Sequence, residues 1–406
     1  MPWHTLFRTS AALRCAPVLY AWIAMYSSEL TGWVTEGYWP SAAAQSAFLL
    51  NFTVPAVAAC GAWEALKVRR SGVLGAAPSR SATTIALSAL APVLAMGAGA
   101  VLLALALLAP RADGLPGRST ALILATELLV VLAHAVAGYV LGSALPRMLA
   151  VPLALIGGFV WMAYPASLNT FWVRQLNGRN LSECCALDQV PSPRAVASVL
   201  LTVTGLVAAG WIRLRLRGHL RWSALPALAV AVLLGAWIAA PLGHQASTAR
   251  PLSERSCTDG APRICLWPEQ RPETARITTW SVQAAERLRA AGLTPPATVT
   301  PLTVRPAEDE VRVLVATSLV PGRLPQCAHQ RGARWPGAGA VAPLSVWLTL
   351  TAGATPGSVE GRYGRPAVAR VSQIMTLPAA DQLAWYERNM ATLDRCDLEP
   401  VLEAAR

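Results

Sequence analysis

Long apolar runs separated by short basic loops dominate the first 240 or so residues, and seven of them are long enough, or nearly so, to cross roughly 30 Å of hydrocarbon as helices. They run from Leu13 to Ser28, Ala43 to Trp63, Ala82 to Leu108, Thr120 to Leu141, Met148 to Ser167, Ala195 to Ile212 and Trp222 to Ala240. The first is short and carries Arg14. It follows a basic start as a signal peptide would, but "YAWIAMYSSEL" puts bulky aromatics where a small-residue cleavage site is needed, so it reads as a retained span. The third is long enough to tilt or to begin outside the membrane.

After Pro241 no comparable run occurs and shorter periodicities take over. From Thr274, Ile277, Trp280, Val282, Ala285 and Leu288 lie on a helical stripe that stops at Gly292, ahead of Pro295 and Pro296. "DEVRVLVATSL" from Asp309 alternates Val311, Val313 and Val315 with Arg312 and Leu314, which predicts a strand, and "APLSVWLTLTAG" from Ala342 predicts a second. The segment from Leu377 is predicted helical, with Leu383, Trp385, Tyr386, Met390 and Leu393 for packing, its aromatics serving a core rather than a ligand box. The expected fold is a polytopic α-helical membrane protein: a six-helix permease-like bundle over 1–221, a seventh spanning helix over 222–241 and a small exported α+β domain over 242–406.

Composition agrees, since 54% hydrophobic and only 14% charged residues is too apolar for an ordinary soluble chain. The net charge of +12 does not imply nucleic acid, because the cations are scattered over short loops between apolar runs. Their distribution sets orientation. Alternate loops collect Arg8 and Arg14, then Lys67, Arg69, Arg70 and Arg80, then Arg147, then "RLRLRGHLR" from Arg213; the opposite loops receive the sparser Arg111, Arg118, Arg174, Arg179 and Arg194. The expected topology has a cytoplasmic N-terminus and, after seven crossings, an extracytoplasmic tail in the cell membrane.

Cys184, Cys185, Cys257, Cys265, Cys327 and Cys396 then all fall on the side where disulfides persist. Of the three pairings open to the tail cysteines, Cys257 with Cys265 and Cys327 with Cys396 are favoured, because the Asp259-Gly260 turn and Pro262 fold the first pair back on itself and the second ties the chain end to mid-domain. Cys184 and Cys185 are not expected to bond to each other, since neighbouring cysteines make strained rings, and their partners stay unassigned.

Candidate chemistry is sparse. The tail has no GxSxG or HExxH, and "CAHQ" at Cys327 supplies too few ligands for zinc, so neither an enzyme nor a metal or other cofactor is expected. No cytoplasmic loop holds a Walker A sequence, so any ATP-driven work would need a separate ATP-binding subunit. Within the spans, Glu127 and His134 sit seven residues apart on nearly one helical face, and Asn51 lies in the second run. Ionisable groups at such depth are candidates for substrate or proton passage, set against a plain structural role.

One segment carries a resemblance. "GAWEALKVRRSGVLGAAPSRSATT", from Gly61, resembles ABC-2-type transporter permeases of actinobacteria, as does the arrangement of the first six predicted helices with an outer loop at 168–194. "ICLWPE" resembles exported tails attached to similar permease-like proteins. The resemblance implies two permease halves, as a dimer of this chain or a pairing with a similar one, and cytoplasmic ATPases docking at Glu64, Lys67, Arg69 and Arg70. It implies an ATP-driven transporter, export being the favoured direction. A seventh helix, a large exported domain and the very short "GSALPRM" turn depart from the family pattern. The alternative is a membrane-anchored exported binding or assembly module without transport activity.

Overall fold

The computed structural model describes residues 8–73, 81–216, 218–330 and 334–403. The chain divides into two compact units, residues 1–250 and 251–406.

The first unit is helical. Ser10 accepts a hydrogen bond from Ala12 N–H and starts α1, Ala11–Leu30. The second apolar run is broken: α2 (Trp39–Phe48) and α3 (Leu50–Arg70) meet at Leu49 with a bend of 50°. There follow α4 (Ala82–Leu108), α5 (Arg118–Ala144), α6 (Arg147–Ala163), α7 (Pro193–Arg215) and α8 (Ala224–Ala239). Among the described residues five helices are long and apolar enough to cross a membrane, and the bent pair makes a sixth. The first of the seven expected runs, α1, falls short of this measure of apolarity. The 20 residues of α1 reach about 30 Å, but Arg14, Ser27, Ser28 and Glu29 dilute its apolarity.

Helix α3 is central to this unit. Gly138 and Gly142 of α5 lie against the backbone of Ala58 and Ala62 of α3, where any Cβ would collide with a carbonyl oxygen. This small-residue seam lets two helices approach to backbone contact, the usual packing device where lipid offers no hydrophobic drive.

The bundle has two polar ends. At one, Lys67 Nζ donates to Thr9 O (2.8 Å), Arg69 donates to Leu145 O (2.9 Å), and the Arg147 guanidinium lies 4.8 Å from the Trp63 ring centre. At the other, Arg111 pairs with Glu36 (2.6 Å), Tyr38 O–H donates to Gln189 O (2.7 Å), and β1 (Gln189–Pro191) pairs antiparallel with β2 (Ser247–Ala249). The segment that contains α1 connects the two, from Thr9 beside Lys67 to Thr35, whose hydroxyl reaches Cys185 O. Cys184 and Cys185 at this second end are bonded to each other, contrary to expectation, and the peptide between them is cis.

The second unit has its own core, built around Ile264, Ile277, Val311, Leu344, Trp347 and Trp385. A short sheet runs in the order β3 (Ser256–Cys257), β4 (Arg263–Leu266), β5 (Thr298–Val299), antiparallel then parallel. Cys257 and Cys265 face each other across the β3–β4 pair and are bonded; Cys327 is bonded to Cys396. Helix α9 (Thr274–Ala290) ends at Gly292, φ +82°, as its sequence predicts.

Both long strands predicted here are helices. Residues Glu308–Thr317 form α10, because Glu308, Asp309 and Glu310 favour a helix N-terminus and Arg312 pairs one turn back with Glu308. The second is α11, Ala338–Thr351, buried from Pro343 through Thr349 and so without the periodicity that separates helix from strand. With α12 (Pro356–Tyr363), α13 (Arg365–Ile374) and α14 (Ala379–Met390), the described unit is mainly helical with three short strands.

Candidate functional site

The basic end of the bundle is organised around Glu64. Its carboxylate is buried, 5% exposed, and accepts from Ser10 O–H (3.0 Å) and Ala11 N–H (2.8 Å) while pairing with Lys67 (2.8 Å). Ala11 N–H is one of the donors that a helix N-terminus leaves without an intrahelical partner, and a negative charge there also complements the helix dipole. Glu64 thus fastens α1 to α3. Lys67 is held between Glu64 and Thr9 O. Arg69 donates to Leu145 O and Ser143 O and so closes the C-terminus of α5. Of the four residues read as a docking group, Arg70 alone is exposed without a hydrogen bond or ion pair among the described residues. Arg80, in the same loop, lies outside the described residues.

The three intramembrane polar residues are not brought together. Glu127 is fully buried and accepts from Ser46 O–H at 2.9 and 3.1 Å, tying α5 to α2 just above the bend. His134 Nδ1 lies 2.8 Å from Val130 O, which fixes a proton on that nitrogen, and the ring lines a cavity of about 280 Å³ with Trp161, Thr202 and Leu228. Asn51, in the first turn of α3, borders a separate groove of about 740 Å³ between α1, α3 and α6. The shared helical face of Glu127 and His134 therefore carries two different contacts.

At the opposite end is a cationic cluster that sequence reading treated only as loop charge. Buried Arg174 donates from Nε and Nη2 to Leu168 O (3.1 and 2.9 Å). Arg179 lies 4.8 Å from the Phe48 ring centre and 3.6 Å from Glu183. Burial holds the Arg179 guanidinium below its ordinary value; Glu183 opposes this and Arg174 adds to it. The spacing of Arg179 and Glu183, four residues apart, was the available signal.

In the second unit, Asp309 joins α10 to the start of α12 by accepting from Thr355 N–H (3.2 Å) and Thr355 O–H (2.5 Å). Although burial raises its pKa, hydrogen bonds from Thr355 and Ser358, with the charge of Arg312, hold the carboxyl below its usual value. Cys327, weighed as a metal ligand beside His329, has its sulfur committed to Cys396.

Residues 264–396 match a family described as a domain of unknown function, DUF7224, about a third of the chain and wholly inside the second unit. No curated protein and no solved structure matches the chain.

Proposed function

We propose that this polytopic helical membrane protein is the permease subunit of an ATP-driven transporter, an exporter, powered by a separate cytoplasmic ATPase. The observation that carries the reading is the excess of cations at one end of the helical unit; the opposite end holds fewer, and Arg111 and Arg179 there are paired with Glu36 and Glu183. Lys67, Arg69, Arg70 and Arg147 gather at the cation-rich end, and α5 and α7 pack so that Gly210 meets Val136, which brings Arg213 and Arg215 to the same end. Such an end faces the cytoplasm. Helix α1, anchored there and reaching the other end, supports a seven-crossing topology with the DUF7224 region outside. A bundle with a broken span and a basic cytoplasmic face suits a subunit that moves cargo while a partner hydrolyses ATP, and its working form is a dimer of this chain or a pairing with a similar permease. Arg70 is the exposed docking contact, while Glu64, Lys67 and Arg69 hold the end of α3 in shape.

A second reading, a membrane-anchored exported binding or assembly module, draws support from the second unit, which has its own core, two disulfides and the family match. Gentle purification of the tagged full chain from native membranes separates them. The permease reading requires a Walker-containing protein in stoichiometric yield, reduced by Arg70→Glu with insertion intact. Recovery of the chain with only extracytoplasmic proteins would replace it with the module.

A further inference from the structure

The groove between α1, α3 and α6 has a directional chemistry that the permease reading does not use. Its walls are apolar, with Val18, Phe52, Pro55, Ile156 and Phe159 among them, and its volume of about 740 Å³ falls within the roughly 300–1,000 Å³ of small-molecule sites. Two polar groups break this lining. Arg14 stands at the basic end, exposed and with no hydrogen bond or ion pair among the described residues; beside it the Trp63 wall carries Arg147. Asn51 stands further in, only 7% exposed, and its Oδ1 is buried without a hydrogen-bond partner.

The separation of these groups follows from helix geometry. Ser10 and Glu64 are in contact, so they mark one level of the bundle. At a rise of about 1.5 Å per residue, Arg14 lies about 6 Å and Asn51 about 20 Å from that level, so about 14 Å divides them. A cation at the membrane surface and an unpaired amide about one leaflet deep, joined by an apolar wall, complement an amphiphile with an anionic head and a hydrogen-bonding group along its chain. Plain hydrocarbon would leave the Asn51 amide unsatisfied. A hydroxyl satisfies it in either orientation of the amide, because it both donates and accepts.

We infer that this groove binds a single-chain, long-chain acid bearing a mid-chain hydroxyl, its carboxylate on Arg14 and its hydroxyl on Asn51. The inference stands apart from ATP coupling, since binding is read without an ATPase.

The test uses the full chain in nanodiscs of neutral phosphatidylcholine, titrated with radiolabelled 12-hydroxyoctadecanoate, whose hydroxyl lies at a comparable distance from its carboxylate, and with octadecanoate. The hydroxylated acid binds about fivefold more tightly than the plain acid, the effect of one added hydrogen bond. Asn51→Leu abolishes that preference and leaves octadecanoate affinity within about twofold. Arg14→Gln weakens both acids about fivefold, and Arg14→Lys restores them. Cys15 lines the groove and is exposed, so its labelling by a small thiol reagent falls when the hydroxylated acid is bound and reports occupancy directly. Equal affinity for the two acids, or a preference that survives Asn51→Leu, overturns the inference. So does displacement of both acids by phosphatidylglycerol, which would assign the groove to bilayer lipid, or a Cys15–Cys15 cross-link between two chains that excludes the acids, which would make it a subunit interface.

Discussion

Replacing Glu64 by Ala removes one carboxylate that holds Ser10, Ala11 and Lys67 together, and the structure sets the size of the effect. Each of the hydrogen bonds from Ser10 and Ala11 goes to a charged acceptor at a buried site and is worth about 1.5–3 kcal/mol. The Lys67 pair adds at most about 1 kcal/mol, because the lysine side chain is 39% exposed and retains Thr9 O. The anchorage of α1 therefore weakens by about 3–7 kcal/mol, which raises the population with α1 detached by at least about a hundredfold. Cys60, buried on α3 with the Cys15 thiol of α1 against it, reports that opening. In a Cys15→Ser background, Cys60 labelling by a small thiol reagent in intact membranes accelerates at least about a hundredfold in Glu64→Ala, and only about tenfold in Glu64→Gln, which keeps an acceptor oxygen. Correctly inserted Glu64→Ala protein with Cys60 labelling within about twofold of the parent would refute the anchoring role. Lost ATPase binding in this variant would not by itself identify a docking contact, since a displaced α1 deforms the whole basic end.

Three further outcomes test other parts of the fold. Asp309 has a depressed pKa, so the stability it contributes is complete above its unfolded-state value, 3.8, and is lost as pH falls through the lower folded-state value; Asp309→Asn should flatten this acid limb in thermal melts of the full chain. Replacing Cys327 and Cys396 together by Ser opens a loop of 69 residues and should cost the second unit about 2–5 kcal/mol, read by denaturant unfolding, whereas free thiols at these positions in unreduced peptide maps would remove the link altogether. Gly138→Val forces a branched side chain against the Ala58 carbonyl and should lower the melting temperature sharply, with Ala137→Val on the same helix as the control.

The six more apolar spans were legible because burial in lipid imposes long uninterrupted runs, and the tail helices at Thr274 and Leu377 because one apolar face and a clear stop survive in their sequences. The bend at Leu49 was not legible, since neither Pro nor Gly occupies the break and what accompanies it is the contact of Ser46 with Glu127, more than eighty residues apart in sequence and invisible to local pattern. The same distance problem hid the role of Glu64, which beside Lys67 and Arg69 looks like surface charge until Ser10 and Ala11 are seen to close over it. The two misread strands have different causes: Val311, Val313 and Val315 alternate in sequence and in burial and so imitate a period of two on a helix, whereas Pro343 through Thr349 are buried without a break and show no period at all. The seam between α3 and α5 uses Gly138 and Gly142, whose spacing of four on one face of α5 is a local signal that the sequence does carry.

Orientation underlies the permease reading, and a pair of full-length insertions tests it most directly. One carries a topology reporter after Gly72 and the other after Gly357, each paired with an enzyme active only in the cytoplasm and one active only after export. Cytoplasmic activity at Gly72 alone and exported activity at Gly357 alone is the predicted result; cytoplasmic activity at Gly357 would contradict the account.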